Sequence, residues 1–340
     1  MRIKGIVYDT GFINNSITTK EKFDASIIKR EMHIIKNDLH CNAVRITGGD
    51  AERLETAARL AANEGLEVWY SPFTCGLTID ELASFLVDAA ERAEHIRKMG
   101  ASVVFITGSE ISLCNKGFFK EETWSERLAL ITNPLKFKEQ IPEVQQRMKS
   151  FLAYVVQKIR RNFKGSITYA SLPFEGVDWS LFDFIATDGG HRSADIASNF
   201  QKGIRAMVSQ GKPVAITEFG CCTYRGAADK GARADWIIEW VNGRADHLNN
   251  SYIRDENEQA AYILELLEIF ESEKVDAVFV NTFARYDLPH RDNPITDLDL
   301  ASQGVVKVYD DRPGKTYSGM PWEPKAAFYL LGEYFNEKIE

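Results

Sequence analysis

Short runs of apolar, β-branched residues alternate along this chain with longer stretches in which apolar side chains return every three or four positions. The short runs fall at 3–9, 43–47, 67–71, 102–108, 166–171, 184–188, 214–218 and 277–283. They are near-continuously apolar, the pattern of strands covered on both faces, and not the alternation of a half-solvated sheet. The longer stretches predict helices at 24–36, 51–63, 79–99, 143–162, 194–209 and 256–273, with a last one at 325–336. Strand–helix alternation implies parallel pairing through crossovers. Eight units predict closure into an α/β TIM barrel, (β/α)8, with residues 1–340 as one domain. An open doubly wound sheet is the alternative, but its usual phosphate-binding signatures, GxGxxG and GxxxxGK[ST], are missing. The link 172–183 has room for one helical turn or none.

Three long connections follow strand ends: 111–142 after the fourth strand, 221–255 after the seventh and 284–323 after the eighth. In a barrel all three lie on the rim that carries active sites. They hold Trp124, Tyr224, Trp236, Trp240, Tyr286, Tyr309 and Trp322. Aromatics in such places either stack on sugar rings or pack the loops onto the barrel.

Composition narrows the partners. The formal net charge is −8, which predicts no nucleic-acid partner. The basic stretch Lys158, Arg160, Arg161 and Lys164 closes a predicted helix, where cations suit the helix dipole. No run of about 20 apolar residues predicts a membrane span. The chain opens directly on a strand, with no leader-like segment ahead of it, which predicts a cytoplasmic protein. Five cysteines, Cys41, Cys75, Cys114, Cys221 and Cys222, show no CxxC pairing, and the six histidines show no HExxH. No metal and no cofactor is expected. The oligomeric state is left open.

Two carboxylates stand out. The fourth strand ends Thr107-Gly-Ser-Glu110, and the seventh ends Thr217-Glu218. A glutamate after such an apolar run costs several kcal/mol if buried without partners, so it points toward a polar site. Three βα units separate the pair, which sets them facing across the barrel mouth. Opposed carboxylates perform glycoside hydrolysis, one protonating the leaving oxygen and the other attacking the anomeric carbon or activating water. Other strand-end groups able to line a pocket are Asp9, Arg45, Tyr70, Asp188, His191 and Arg285.

With Ile216-Thr-Glu-Phe-Gly220 and the stretch Asp178-Trp-Ser-Leu-Phe-Asp-Phe-Ile185, the chain resembles the clan A retaining glycoside hydrolases, the cellulase and β-galactosidase type of barrel. The likeness is one of layout over nearly the whole chain. It implies Glu110 as acid/base, Glu218 as nucleophile and a small glycoside or oligosaccharide as substrate. Departures from the family pattern place Ser109 where it has Asn, Asp188-Gly-Gly-His191 where many members have Tyr, and Asn281-Thr-Phe283 where a Trp is common. Together with Trp322 these residues form the expected substrate-binding set. Two further readings stay open: an isomerase or lyase using the same glutamates for proton transfer, and a non-catalytic carbohydrate-binding or interaction barrel.

Overall fold

A computed structural model describes residues 1–337. Its centre is a ring of eight parallel strands: β1 (Ile3–Asp9), β2 (Ala43–Gly48), β3 (Glu67–Pro72), β4 (Val103–Ser109), β5 (Ser166–Ala170), β6 (Ile185–Thr187), β7 (Val214–Phe219) and β8 (Ala277–Val280). They pair in the order β5-β4-β3-β2-β1-β8-β7-β6. The free edges of β5 and β6 meet in a parallel bridge between Ser171 and Thr187, so the ring is nearly closed. Hydroxyls finish that seam: Ser171 Oγ donates to the Ala186 carbonyl at 2.8 Å, and Thr187 Oγ1 to the Ser171 carbonyl at 3.0 Å. Only the turn Trp179–Leu181 links the two strands, as the short 172–183 segment predicts.

The covering helices are α1 (Ala25–Asn37), α2 (Ala51–Asn63), α3 (Ile79–Lys98), α4 (Pro134–Asn162), α5 (Ala197–Val208), α6 (Glu256–Ser272) and α7 (Ala326–Glu337). Five of these starts, those of α1, α2, α3, α4 and α6, follow from side chains that accept the unpaired first-turn N–H groups. Asp24, Asp50 and Asp255 cap α1, α2 and α6, and Thr78 with Glu81 forms a capping box on α3. Helix α4 corrects the sequence reading, which ran a loop through Pro142. Asn133 caps it and Pro134 occupies its first position, so it begins nine residues earlier. Pro142 is exposed, so water can satisfy the carbonyl that its missing N–H leaves behind.

Alternation along each strand divides the core. One set of side chains fills the ring: Trp69 packs on Phe184 and Phe279 at 5.1 and 4.9 Å between ring centres, surrounded by Ala43, Ala170, Ala186, Ala215 and Ala277. Small residues on five strands make room for one indole. Gly5 is needed there, because a Cβ would sit 2.6 Å from the Phe279 ring. The opposite set, including Val44, Ile46, Tyr70, Phe105, Tyr169 and Ile216, packs outward against the helices. Above the apolar filling, the inward positions turn polar: Arg45, Ser71, Ser109, Thr217 and Asp188, all buried. That polar layer is the floor of the mouth.

The long loops after β4, β7 and β8 stand on the C-terminal rim. The β7 loop carries an antiparallel hairpin, Ile238–Val241 with Arg244–Leu248. It leans on the first loop, where Arg244 pairs with Glu21. Trp236 and Trp240 on this loop are about half exposed, whereas Tyr224 is buried. Among the described residues no helix is long and apolar enough to cross a membrane.

Candidate active site

Glu110 is set by a break at the end of β4. The ladder to β5 slips register between Ile106 and Ser109, and slips of this kind re-aim side chains. Gly108 has φ +88°, and a Cβ there would meet Ile111 Cδ1 at 2.6 Å. Glu110 itself has φ +46°, a left-handed conformation that costs a non-glycine residue roughly 1–2 kcal/mol. Its amide donates to the Ala170 carbonyl at 3.1 Å. The turn that follows, Ile111–Cys114, is clamped by the buried Glu175. That carboxylate accepts from Ser112 Oγ at 2.6 Å, Tyr169 Oη at 2.8 Å and the amides of Ser112 and Leu172. Tyr169 Oη in turn accepts from the Ile111 amide at 2.9 Å. The left-handed residue is thus held from both sides.

Glu218 comes from β7, where pairing with β8 slips between Val278 and Val280. Phe219 packs outside the ring on Phe270, with 5.0 Å between ring centres, while Glu218 faces the mouth. Asn281 Nδ2 donates to its Oε1 at 3.0 Å, His191 Nε2 lies 3.5 Å from the same oxygen, and Arg45 Nη1 lies 3.9 Å from Oε2. Gly220 allows this crowding, since a Cβ there would meet the Asn281 carbonyl oxygen at 2.1 Å.

Arg45 joins the two halves. Its five N–H groups are all used. Nε donates to Ser71 Oγ at 3.1 Å. Nη1 donates to Asp188 Oδ1 at 2.6 Å and the Thr217 carbonyl at 2.8 Å. Nη2 donates to Ser109 Oγ at 2.8 Å and Asp188 Oδ2 at 3.2 Å. Ser109 Oγ in turn donates to Asp188 Oδ2. One guanidinium therefore fixes the residue before Glu110 and the carbonyl before Glu218.

The two carboxylates stand in unlike surroundings. Burial pushes the Glu110 carboxyl well above the usual carboxylate range, and the negative charges of Glu218 and Asp188 push it further, against Arg45. Among the described residues nothing hydrogen-bonds its side chain, whereas Glu218 has an amide donor, the Arg45 cation and the His191 ring beside it. His191 Nδ1 donates to the Gly220 carbonyl at 3.2 Å, so Nε2 carries a proton only in the imidazolium form. Burial opposes that charge, but the hydrogen bond and charge of Glu218 outweigh it, and the His191 pKa ends above its ordinary value.

Of the sequence-predicted residues, Glu110, Glu218, Arg45, Ser109, Asp188, His191 and Asn281 meet in this one cluster. Arg285 and Asp9 flank it. Arg285 grips Asp287 through two hydrogen bonds of 2.9 and 2.8 Å. The Asp9 carboxylate is turned to the first loop, accepting from the Gly11 amide at 2.8 Å and from Thr19 Oγ1. Tyr70, Phe283 and Trp322 are corrections. Tyr70 alternates to the outer face of β3 and stacks near Phe105, with no exposed surface. Phe283 is buried between Tyr8 and Trp322, 6.2 and 5.3 Å from their rings. Trp322 is buried with its indole N–H on Glu31 at 2.8 Å. None of the three offers a face to a ligand. Ser71 and Glu175 escaped notice because a lone serine inside a strand and a loop glutamate carry no pattern. Among the described residues no group of three or more His, Cys, Asp or Glu is placed to hold a metal ion.

Solved structures resemble the chain over its full length. A GH113 beta-1,4-mannanase superposes with a TM-score of 0.63 at 15% identity, covering 99% of this chain and 100% of that one. The GH113 beta-mannanase from Alicyclobacillus acidocaldarius gives 0.61 at 12% identity, covering 99% and 97%. The fold they share with this chain is the (β/α)8 barrel. The same barrel occurs as part of a larger chain in the Parabacteroides merdae beta-glucuronidase, with a TM-score of 0.55 and 14% identity, where it covers 37% of that chain. No family model and no curated protein matches the sequence. This (β/α)8 barrel thus departs far in sequence from those whose shape it shares.

Proposed function

We propose that the protein is a retaining glycosidase acting on a small glycoside or oligosaccharide, with Glu218 as nucleophile and Glu110 as acid/base. The observation that carries this reading is the contrast between the two carboxyls of one mouth. Glu110 is half-buried, has no hydrogen-bond partner among the described residues and is held toward its protonated form, while Glu218 is gripped by Asn281, His191 and Arg45. Two carboxyl groups driven apart by their surroundings supply an acid and a nucleophile together. Glu218 attacks the anomeric carbon as Glu110 gives its proton to the leaving oxygen. Water then attacks the glycosyl ester, returns a proton to Glu110 and frees Glu218. The mannanase and glucuronidase barrels of like shape make β-mannosides and β-glucuronides the first substrates to try. An activated 2-deoxy-2-fluoro glycoside of a sugar that the enzyme cleaves is expected to inactivate it and add one glycosyl mass to the peptide bearing Glu218. A label on a different residue, or turnover without any trapped adduct, overturns the nucleophile assignment.

Glu110 can act as an acid only while protonated. Its folded pKa lies above the ordinary glutamate value of about 4.3, so kcat/KM is expected to fall as pH rises through that elevated value. Stability carries the same signature. Between the unfolded and the elevated folded pKa the folded protein binds the extra proton, so Glu110 makes stability decline as pH rises. Glu110→Gln removes this decline. Its Tm is expected to match wild type near pH 4 and to exceed it by a few degrees at pH 8. Aryl glycosides with good leaving groups need no proton and should retain their first step in this variant. Parallel melting curves at both pH values that show no gain at pH 8 would count against the assignment.

A further inference from the structure

The loop after β1, residues 10–24, carries none of the reacting groups, yet it is firmly built. Asp9 staples its base by accepting from the Gly11 amide at 2.8 Å and from Thr19 Oγ1. Between these points runs a hairpin, Ile13–Asn14 against Ile17–Thr18. Phe12 and Thr19 close it: the Thr19 amide donates to the Phe12 carbonyl at 3.1 Å, and the Phe12 amide to Thr19 Oγ1 at 2.8 Å. Asn15 and Ser16 form its tip, with φ +48° and +63°, a turn whose twist matches that of paired strands. Just past the hairpin the buried Lys20 ammonium donates to Tyr8 Oη at 2.9 Å and lies 3.8 Å from the Glu31 carboxylate. It also sits 4.4 and 4.3 Å from the ring centres of Tyr8 and Tyr286. A carboxylate and two ring faces thus meet its charge, and the lysine anchors the loop.

So anchored, this loop touches the loops that follow both glutamates. On one side Phe12 packs on Phe73 of the β3 loop and Trp124 of the β4 loop, at 4.8 and 6.3 Å between ring centres. Trp124 opens the short helix Trp124–Ile131. Arg127 of that helix donates to the carbonyls of Leu113 and Cys114 at 2.6 and 2.9 Å, in the turn directly after Glu110. On the other side the β7 hairpin closes on the first loop. A Cβ on Gly243 would meet Ile17 Cδ1 at 2.8 Å, and Arg244 pairs with Glu21. The β7 hairpin rests in turn on the β8 loop, with the Leu248 amide on the Ile295 carbonyl at 2.8 Å. That loop returns to the site through Gln303 Oε1, 3.4 Å from the Asn281 Nδ2 that also donates to Glu218. The connection after β2 is short, but the first loop crosses it, with the Gly49 amide on the Gly11 carbonyl at 3.0 Å. Loops therefore adjoin from β4 through β1 to β7, from one glutamate round to the other. The side left is that of β5 and β6, whose connections 172–183 and 188–196 are short.

An internal bond of a saccharide can be cut only where the chain runs on from the reacting ring in both directions. Past this wall it can run on in one. In the two-step reaction the leaving group departs while the glycone is still bound to Glu218. The leaving group must therefore lie toward the open side, and the glycone against the wall. We infer that the enzyme acts on chain ends, removing non-reducing terminal units, and that the first-loop hairpin sets this specificity. This deepens the glycosidase reading and rests on it.

The test compares the 4-nitrophenyl β-D-mannoside, β-D-glucoside, β-D-galactoside and β-D-glucuronide with their 4-O-benzyl ethers. O4 lies across the ring from the anomeric carbon, so the benzyl group extends the glycone toward the wall. At least one free glycoside is expected to be cleaved, with kcat/KM about 100-fold or more above that of its ether. Replacing residues 13–18 by Asn-Gly gives a two-residue turn that closes on the same Phe12–Thr19 pair. This shortened protein is expected to narrow the ratio about tenfold or more. Equal cleavage of a free glycoside and its ether overturns the inference and leaves the glycosidase reading standing. Cleavage of β-1,4-mannopentaose at internal bonds does the same, as does a folded shortened protein with an unchanged ratio. If the shortened protein does not fold, the wild-type comparison decides alone. A protein that cleaves none of these glycosides nor the mannopentaose removes the glycosidase reading, and the chain-end inference falls with it.

Discussion

Replacing Glu218 by Ala is expected to lower kcat on the order of 10⁴-fold or more while leaving Tm within a few degrees of wild type. The size follows from what is lost. The carboxylate is both the attacking group and the leaving group of the second step, and no neighbour can take its place. Asn281 presents an amide donor to the vacated space, Arg45 presents only charge, and without Glu218 burial returns His191 toward its neutral form. Stability should hold because Arg45, the buried partner, keeps all five of its hydrogen bonds without Glu218. Glu218 is also about one-fifth exposed, so its removal leaves no sealed cavity. The space left beside the Arg45 guanidinium and the Asn281 amide suits a small anion. Azide should therefore restore turnover on aryl glycosides and give a glycosyl azide of inverted configuration. Wild-type turnover by the purified variant, on every substrate the enzyme cleaves, would end the two-glutamate proposal.

The sequence carried the architecture further than the site. All eight strands and seven covering helices are visible as runs and periods, because strands buried on both faces must be apolar and helices that bury one face repeat apolar residues every three or four positions. The pair Glu110 and Glu218 was visible for a similar reason: a charge directly after an apolar run is an exception that needs an explanation. Side-chain direction was less visible. Tyr70 sits one residue from a position that faces the mouth, and a period of two sends it to the helices while Ser71 turns inward to Arg45. Phe283 lies just past the end of β8, where the strand's alternation has stopped, and Trp322 follows a long irregular segment, so no period indicates the face of either.

Arg45→Met should destabilise the protein by about 3–5 kcal/mol, a drop in Tm of roughly 5–10 °C. Methionine fills much of the volume but supplies none of the five donors. Asp188 has no side-chain exposure and would be left charged, with only Ser109 Oγ donating to it. The Thr217 carbonyl and Ser71 hydroxyl would lose partners as well. Removing one member of a buried pair costs far more than the pair contributes, because the other charge stays behind. The double variant Arg45→Met with Asp188→Leu should therefore be more stable than Arg45→Met alone, recovering most of the lost Tm. Activity should follow a different course. The same guanidinium fixes Ser109 ahead of Glu110 and the carbonyl ahead of Glu218, so the double variant regains its fold but not its alignment. Displacements of about 1 Å at a reacting centre cost on the order of 10²-fold in rate. A double variant that recovers both Tm and kcat would show that Arg45 serves only the core. One that recovers neither would show that the Arg45–Asp188 pair is not what the single substitution disrupts. Recovery of Tm with kcat still depressed is the outcome expected of a positioning residue whose ion pair joins both halves of the mouth.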